Sequence, residues 1–581
     1  MLYPQMNKNR SLYSLDGIWE FYKDCTDIEF KNVNLADLSK IKDKRAIAVP
    51  ASWNDQYDDL FQFHGKGWYE KKFYVPNVDT QKDVYIRFGS VSGKAKVWVN
   101  GSYVMEHIGT ALPFEAKITD YIKTDEENIV TLLADNTLDP WALPPATLME
   151  NEGRMGFSSS YPAVTYDFFP FGGIQRSVYV YTVSKLRIDD ITITTSVNGD
   201  DASVKYKIDF NAPYTGYINI SVDNLTTVVK SSGENFVVGE LEIENVLLWD
   251  IGEPNLYEFK VELMSDNNRD SYVQTFGVRE VEIKDNKLFL NKREIFLKGF
   301  GKHEDFHIIG KGFNHAVTVK DFALLKWIGA NSFRTSHYPY DENILDMADR
   351  EGILVIAETP FVGLNSRNYT EEILNKAVSV INEMINRDKN HPSVIMWSLA
   401  NEPVVETDEG EHFFKVMAET ARGLDATRPI TYVAFFEPEH NRGMKYYDII
   451  CINKYYGWYE YPGQIDDSLS EFIKCTDRFY NTFKKGIILT EFGADVIAGI
   501  HTNPPQMFSE EYQSDMIEKQ YELFRKQPYA VGTHVWAFSD FKTAQTISRI
   551  VFNRKGVFTR EREPKMSAHT LRRLWNGGNN E

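Results

Sequence analysis

The stretch ILNKAVSVINEMINRD (373–388), followed closely by SVIMWSLANEP (393–403), decides the fold. In the first segment apolar residues recur every three or four positions, which predicts a helix with one buried face. The second segment opens with an almost continuous apolar run, which predicts a strand. A helix that leads directly into an apolar strand is the repeating unit of an α/β structure.

The same alternation of helical segments and apolar strands extends from residue 277 to the end of the chain. Eight apolar strands, most of them separated by helical segments, can be read there: EIFLKGF (294–300), NSFRTS (331–336), ILVIAE (353–358), SVIMWSLANEP (393–403), PITYVAF (429–435), DIICINKYYG (448–457), GIILTEFGA (486–494) and AVGTHVWAFSD (530–540). Eight such strands close most simply into a (β/α)8 TIM barrel.

Upstream of residue 277 the pattern is that of β structure. VYIRFGSVSGKAKVWVNGSYV (84–104) alternates apolar and polar residues around glycines, which predicts paired antiparallel strands. About seven short strands follow between residues 184 and 276, the size and rhythm of an immunoglobulin-like β-sandwich. Because 581 residues are too many for a single core, we predict a multidomain protein of β plus α/β class, with domains at 1–183, 184–276 and 277–581.

The composition excludes some partners. The net charge is −19 and no long basic run occurs, which argues against nucleic acid and anionic membranes as partners. The aromatic fraction of 14% is high; it suits β packing, and it suits sugar sites, since ring faces stack on the C–H face of a pyranose.

The cysteines and the N-terminus bear on location. Cys25, Cys451 and Cys475 are odd in number and far apart, so neither a disulfide framework nor a CxxC metal site is expected. The opening MLYPQMNKNRSLYSLDG lacks the apolar core of a signal peptide, and no stretch reaches 18 apolar residues. We therefore expect a cytoplasmic protein.

Two strand ends carry the chemistry. In a barrel of this kind the active site lies at the C-terminal ends of the strands. ANEP (400–403) ends strand four and TEFG (490–493) ends strand seven, so Glu402 and Glu491 face each other across the barrel mouth. A single strand-end glutamate commonly caps a helix or pairs with a lysine. Two that converge on one cleft are the equipment for glycoside hydrolysis, with a separation of about 5–5.5 Å in retaining enzymes.

The two motifs together resemble glycoside hydrolase family two. The resemblance covers the whole chain and includes LDGIWEF (15–21), VPASWND (49–55), GWYEKKFYVP (67–76), KVWVNG (96–101), FGVRE (276–280) and KGFGKHED (298–305). It implies an N-terminal jelly-roll β-sandwich, then the immunoglobulin-like sandwich, then the barrel. It also implies Glu402 as general acid/base, Glu491 as nucleophile and Asn401 as a partner of the sugar 2-hydroxyl.

The segment after strand eight, ISRIVFNRKGVFTR (547–560), indicates the sugar. Asn553 and Lys555 resemble the Asn-x-Lys element by which family members that cleave β-glucuronides hold the C6 carboxylate, and Arg549 stands at a matching position. An acidic protein must neutralise a uronate locally, and arginine and lysine do so with a planar fork and a point charge. Taken alone, the segment is equally well a basic loop that faces solvent.

Other family positions can be matched, although each alone is as readily a packed residue. The resemblance implies that Asp167 bonds the sugar 4-hydroxyl and that four more residues line the site: His337, Tyr455, Tyr459 and Trp536. The expected substrate is a small-molecule or oligosaccharide glucuronide, and the two-carboxylate mechanism needs no cofactor or metal. A homo-oligomer, dimer or tetramer, is compatible with the resemblance, but no interface can be read from the residues.

Alternatives stay open at this point. A related hydrolase acting on β-galacturonides or neutral β-galactosides shares the glutamate pair, and a non-catalytic carbohydrate-binding protein shares the fold. His303–His307 matches the HExxH zinc-protease pattern, but that pattern needs a helix, whereas glycines surround this segment. Only TPFVGLNSRNYTEE (359–372) separates strand three from its helix. Some bacterial family members carry a long covering loop there, so we expect a more open mouth that accepts larger or polymeric aglycones.

Overall fold

The computed structural model describes residues 1–24, 43–76, 81–109, 111–146, 161–265 and 268–577. Cys25 lies outside the described residues, and Cys451 and Cys475 are buried free thiols. Among the described helices, none combines the length and the apolar character needed to cross a membrane.

The N-terminal part consists of two antiparallel sheets packed around one apolar core. Its strands are β1 (Ser11–Ser14), β2 (Gly17–Asp24), β3 (Arg45–Val49), β4 (Lys66–Tyr74), β5 (Lys82–Phe88), β6 (Lys94–Val99), β7 (Ser102–Ile108), β8 (Phe114–Lys117), β9 (Glu127–Asp135) and β10 (Val178–Ser184). One sheet has the order β1-β10-β5-β8 and the other β3-β2-β4-β9-β6-β7. The alternation of buried and exposed residues along these strands produced the β pattern of the sequence.

The middle part is a β structure with longer strands than the sequence predicts. They are β11 (Ile188–Asn198), β12 (Asp201–Val222), β13 (Leu225–Ile243), β14 (Trp249–Asp250), β15 (Glu253–Pro254), β16 (Tyr257–Ser265) and β17 (Asn268–Phe276). The prediction of uniformly short strands is wrong for β12 and β13, which run for 22 and 19 residues. The register of β12 shifts between Asp209 and Tyr214, and its two halves pair with β11 and β16 respectively. A bulge that bends one long strand therefore looks, in sequence, like the turn between two strands.

The C-terminal part is a closed barrel of eight parallel strands, as predicted. The barrel strands are β21 (Leu297–Gly301), β22 (Ser332–Arg334), β23 (Leu354–Glu358), β24 (Val394–Asn401), β25 (Ile430–Ala434), β26 (Ile450–Asn453), β27 (Ile487–Glu491) and β28 (Ala530–Trp536). A small sheet precedes them, of β18 (Val281–Lys284), β19 (Lys287–Leu290) and β20 (Arg293–Ile295), and the pair β29 (Phe541–Lys542) and β30 (Phe552–Asn553) follows. The predicted strand 294–300 is thus divided between β20 and β21.

The helices surround the barrel. They are α1 (His315–Ile328), α2 (Glu342–Glu351), α3 (Glu371–Asp388), α4 (Asp408–Leu424), α5 (Ile465–Phe483), α6 (Glu510–Phe524) and α7 (Met566–Trp575). Short side chains such as Asn314 and Thr370 accept hydrogen bonds from the first free N–H groups of α1 and α3. Gly329 ends α1 with φ 87°, a conformation that favours glycine. Short 3-10 helices lie at Trp53–Asp55, Asp58–Leu60, Pro438–His440 and Arg442–Tyr446.

Buried ion pairs join the N-terminal part to the barrel. Asp55 accepts hydrogen bonds from Lys542 Nζ at 2.6 Å and Arg560 Nη2 at 2.5 Å, and Arg560 Nε donates to Asp305 at 2.8 Å. Next to them the backbone of Tyr161 pairs with that of Gln545. The ion pairs of Asp55 hold the 3-10 helix Trp53–Asp55 against the segment that follows β28. The bridge between Tyr161 and Gln545 holds the chain after residue 160 against the same segment.

We predict that Asp55→Asn destabilises the protein through this contact. It leaves the buried Lys542 without its carboxylate and Arg560 with Asp305 alone, and breaking a buried pair costs about 3–5 kcal/mol. The temperature of half-inactivation measures the loss. Asp59→Asn is the matched control: Asp59 pairs with Arg45 but its side chain is 53% exposed, against 5% for Asp55, and exposed pairs contribute less than about 1 kcal/mol. Equal losses in the two variants would show that the Asp55 contact does not join the two parts.

Candidate active site

A cavity of about 440 Å³ opens at the C-terminal ends of the barrel strands. Its wall contains nine of the residues singled out from the sequence: Asp167, His337, Asn401, Glu402, Tyr455, Tyr459, Glu491, Trp536 and Arg549. The rest of the lining is largely apolar or uncharged and includes Tyr166, Val362, Val404, Phe435 and Phe436. Barrel closure thus brings residues that are almost 400 positions apart in sequence to one space.

Glu402 follows β24 and is poised to be a protonated acid. Burial and the carboxylate of Glu491 raise the pKa of Glu402 to about 8. Asn453 Nδ2 donates to Glu402 Oε1 at 2.8 Å, which orients the carboxyl group. The backbone of Glu402 has φ 51°, in the left-handed region that non-glycine residues rarely adopt. A carboxyl group that stays protonated at neutral pH can serve as a general acid.

Glu491 ends β27 and is held on both oxygens. Arg334 Nη2 donates to Oε1 at 2.5 Å, and the Tyr455 hydroxyl donates to Oε2 at 2.6 Å. Donors on both oxygens suit an ionised carboxylate and fix its direction. The two glutamates therefore occupy contrasting surroundings, one that favours the acid and one that favours the anion, which is the arrangement of an acid and a nucleophile.

Arg334 connects Glu491 with the barrel interior. Its side chain is fully buried, and Nη1 donates to both oxygens of Glu358 at 2.8 and 2.9 Å. Glu358 also accepts from Ser398 Oγ at 2.8 Å and lies 2.8 Å from Nδ1 of His337. Burial alone would raise the pKa of Glu358, but Arg334 and His337 hold it below its ordinary value. Glu358 is thus an enclosed structural anion, although it too stands at a strand end.

His337, Trp536 and Asn401 form a wall beside the glutamates. The His337 ring stacks on the Trp536 indole, with centroids 5.1 Å apart and planes at 22°. Asn401 Oδ1 accepts hydrogen bonds from Asn453 Nδ2 at 3.3 Å and from Arg334 at 3.4 Å. Because its oxygen is occupied, the Asn401 amide nitrogen is the part of that side chain available to a ligand.

Asp167 and Arg549 form a second centre of charge in the cavity wall. Arg549 Nε donates to Oδ1 and Oδ2 of Asp167 at 2.9 and 3.1 Å, and Nη2 donates to the Tyr459 hydroxyl at 2.6 Å. Asn553 Nδ2 donates to Asp167 at 2.5 Å. Burial would raise the pKa of Asp167, but Arg549 and its other donors hold it below its ordinary value. Asp167 thus reaches the barrel site from the N-terminal part of the chain, as predicted.

Asn553 and Lys555 lie next to this centre and are fully buried. The Lys555 ammonium donates to the Tyr459 hydroxyl at 3.0 Å and forms a very short ion pair with Asp495. Asp495 also lies 3.4 Å from Arg549 Nη1. The side chains of Arg549, Asn553 and Lys555 are therefore directed inward, although Ile547 and Val551 of the same segment are exposed.

The HExxH-like segment has a structural arrangement. Residues 303–307 are not helical, and His303 is buried while His307 is exposed. The ring of His303 packs against Phe541 at 4.4 Å between centroids, and Glu304 binds Arg176 at 3.0 Å. Because one histidine is buried and the other is exposed, the two do not form the pair of ligands on one helix face that the zinc pattern needs.

Sequence reasoning missed four residues that organise the site: Arg334, Glu358, Asn453 and Asp495. Three of them, Arg334, Glu358 and Asn453, end the observed strands β22, β23 and β26, but of these only Glu358 ended a strand as predicted from the sequence. Asp495 stands four residues beyond Glu491 in the following loop, where no periodic pattern marks it.

The chain matches one family over nearly its whole length. Residues 12–184 match the family described as "Glycosyl hydrolases family 2, sugar binding domain", residues 180–279 match "Glycosyl hydrolases family 2", and residues 281–580 match "Glycosyl hydrolases family 2, TIM barrel domain".

Individual relatives agree. A beta-glucuronidase of Paenibacillus borealis is 41% identical, covering 99% of this chain and 98% of the relative, and the Homo sapiens beta-glucuronidase is 36% identical over 99% and 92%. Among solved structures, the beta-D-glucuronidase of Dictyoglomus thermophilum has a TM-score of 0.90 at 38% identity, covering 99% of both chains. The Bifidobacterium dentium beta-glucuronidase complexed with coumarin-3-O-glucuronide has a TM-score of 0.93 at 34% identity, covering 99% and 98%. The chain belongs to glycoside hydrolase family 2.

Proposed function

We propose that this protein is a retaining exo-β-glucuronidase that hydrolyses β-D-glucuronides to glucuronate and an aglycone. The observation that carries the proposal is the contrast between Glu402 and Glu491 in one cavity whose wall also holds Arg549. The full-length relatives named beta-glucuronidase support the same activity.

In the first step Glu491 is the nucleophile. Its Oε attacks the anomeric carbon while the bond from that carbon to the aglycone oxygen breaks, and Glu402 transfers its proton to the departing oxygen. Arg334 and Tyr455 hold the attacking carboxylate in place before the reaction, so little reorganisation is needed as charge moves onto the sugar. The products are a glucuronyl ester of Glu491 and the free aglycone.

In the second step the ionised Glu402 acts as a base. It takes a proton from water, whose oxygen attacks the anomeric carbon and releases the Glu491 carboxylate. Two inversions retain the β configuration. Once the ester has neutralised Glu491, the anion that raised the pKa of Glu402 is gone. Glu402 therefore carries its proton before the first step, when it acts as the acid, and is ionised after that step, when it acts as the base.

We assign the remaining residues of the site to contacts with the sugar. Asn401 bonds the 2-hydroxyl, Asp167 bonds the 4-hydroxyl, and His337, Tyr455 and Trp536 line the ring. The C6 carboxylate binds at the end of the cavity held by Arg549, Asn553, Lys555 and Tyr459. The Arg549–Asp167 contact, at 2.9 Å, supports a single binding mode in which the 4-hydroxyl and the C6 carboxylate are read together.

A panel of 4-nitrophenyl β-glycosides tests the substrate. We expect turnover of the glucuronide well above that of the galacturonide, galactoside, glucoside and mannoside. Lys555→Ala is expected to lower kcat/KM for the glucuronide by about 30-fold or more, the effect of losing one partner of a buried charge contact, and to change the glucoside far less. Equal losses on both sugars would remove the uronate assignment, and a galacturonide preference would identify the sister activity.

Azide distinguishes the roles of the two glutamates. We expect Glu402→Ala to hydrolyse glucuronides with poor leaving groups about 10²–10⁴-fold more slowly than the wild type, because proton donation is lost. When azide is added, the same variant should form the β-glucuronyl azide. Glu491→Ala has no nucleophile, so turnover vanishes and azide restores it as the α-azide. Product configuration is read by NMR, and the opposite pair of configurations would exchange the two roles.

The pH profile tests the protonation state of Glu402. Because the pKa of Glu402 is raised to about 8, the acid form persists through neutral pH, and kcat/KM should fall as pH rises through about 8. Glu402→Ala, assayed with a dinitrophenyl glucuronide that needs no proton, should lose this limb. A limb that persists in the variant would assign the titration to another group.

Three further expectations stay predictions: the open mouth with larger aglycones, the cytoplasmic location and the homo-oligomer. The segment between β23 and α3 contributes Val362, Gly363 and Asn365 to the cavity wall, so it borders the space that an aglycone would enter.

A further inference from the structure

The uronate end of the cavity contains two cations and two carboxylates in mutual contact: Arg549 and Lys555 with Asp167 and Asp495. These four charges cancel before any substrate binds. A glucuronate carboxylate therefore does not enter a region of excess positive charge. Selectivity for it must depend on where the cationic N–H groups point.

Lys555 lies in a cage that would not by itself keep an ammonium ion. Its side chain is 1% exposed, and the ammonium lies 5.6, 5.3 and 4.8 Å from the ring centres of Tyr455, Trp458 and Tyr459. Among the described residues, Asp495 is the one carboxylate within 4.0 Å of Lys555 Nζ. A buried ammonium that loses its hydration needs such a partner to stay charged.

Asp495 is itself fixed by the backbone. Its Oδ1 accepts a hydrogen bond from the Arg554 N–H at 2.8 Å, and the next residue, Val496, donates from its N–H to the Arg554 carbonyl at 3.1 Å. These bonds join the loop that follows the nucleophile strand β27 to the segment that carries Lys555. The position of the uronate-binding ammonium is thus tied to the position of Glu491.

We propose that Asp495 is a specificity-determining positioning residue, which keeps Lys555 charged and directed toward the substrate carboxylate. The inference rests on the glucuronidase function proposed above. It excludes a simpler electrostatic view, in which Asp495 only competes with the substrate for the cations. The two views predict opposite effects when the negative charge is removed.

The other titratable groups near this pair are accounted for. Tyr455 and Tyr459 face Lys555, and Arg549 and the Arg554 backbone face Asp495. Asp540 lies near Asp495 but is bonded to Lys565 Nζ at 2.7 Å. Asp167 is occupied by Arg549 and Asn553. Tyr459 accepts a hydrogen bond from Lys555 at 3.0 Å, but none of these groups gives Lys555 a second carboxylate within 4.0 Å among the described contacts.

The decisive variant is Asp495→Asn, assayed with 4-nitrophenyl β-glucuronide. We expect KM to rise roughly 10- to 100-fold at neutral pH, the loss typical of breaking a desolvated charge contact, with kcat at saturation within about threefold of the wild type because binding rather than chemistry is affected. The ratio of variant to wild-type KM should climb between about pH 6 and pH 9, since an unpaired buried lysine loses its proton in that range. A fall in KM, or an unchanged KM, would overturn the proposal.

Three further variants separate positioning from loss of structure. Asp540→Asn removes another buried carboxylate near the same segment without touching Lys555. We expect the ratio of its KM to the wild-type KM to be independent of pH. A ratio that climbs with pH as in Asp495→Asn would assign the effect to a general loosening of the structure and overturn the proposal. Asp495→Asn with Lys555→Met should lose the pH dependence, and retention of it would overturn the assignment to Lys555. Asp495→Glu, which keeps the charge but displaces it, should raise KM without a pH-dependent ratio, and it serves if Asp495→Asn does not fold; a wild-type KM in Asp495→Glu would count against positioning.

Failure of the underlying activity is recognisable by a different result. If the wild-type protein does not turn over the glucuronide, the proposed function is wrong. If the wild type is active and only Asp495→Asn behaves unexpectedly, the function stands and the role of Asp495 is wrong.

Discussion

The buried contacts of Arg334 are the interaction on which the site depends. A fully buried guanidinium is tolerated only with compensating carboxylates, and Arg334 has two of them, Glu358 in the barrel interior and Glu491 at the mouth. The first contact fixes the arginine, and the second fixes Glu491, the proposed nucleophile. Burial, and next to it the carboxylate of Glu491, raises the pKa of Glu402. Two chemically identical side chains thus lie in different surroundings, Glu402 buried beside an acidic neighbour and Glu491 bonded to Arg334 and Tyr455.

The N-terminal part completes the site that the barrel begins. Asp167 lies in a segment outside the barrel, yet its carboxylate contacts Arg549 and Asn553 of the segment after the last barrel strand. The ion pairs of Asp55 with Lys542 and Arg560 hold the same two parts of the chain together. Stability of the interface and recognition of the sugar are therefore built on adjacent contacts. A barrel without the N-terminal sheets would keep both glutamates and lose part of the sugar-binding wall.

The proposed uronate-binding end of the cavity carries paired rather than free charges. Burying free cations would cost more than their attraction for one carboxylate returns. Arg549 and Lys555 instead each contact a carboxylate, Asp167 and Asp495 respectively. In the proposed function, the direction of their N–H groups rather than an excess of positive charge distinguishes a uronate from a neutral sugar. The link from Asp495 to the Arg554 backbone ties this end of the cavity to the strand of the nucleophile.

The sequence by itself determined the barrel and the position of the two glutamates. Apolar strands alternate with helices along the chain, Glu402 directly follows one of those strands and Glu491 ends another. Both are local patterns, and a closed barrel leaves one arrangement for them. The lengths of β12 and β13 could not be read, because a bulge resembles a turn. Glu358 ends a strand as Glu491 does, and its enclosure by Arg334, His337 and Ser398 distinguishes it from the catalytic candidates. The tertiary structure also decided that Lys555 points inward to Asp495, 60 residues away in sequence. Periodicity reports which face of an element is buried, but the charge environment of a side chain is set by contacts between distant segments, which exist only once the chain has folded.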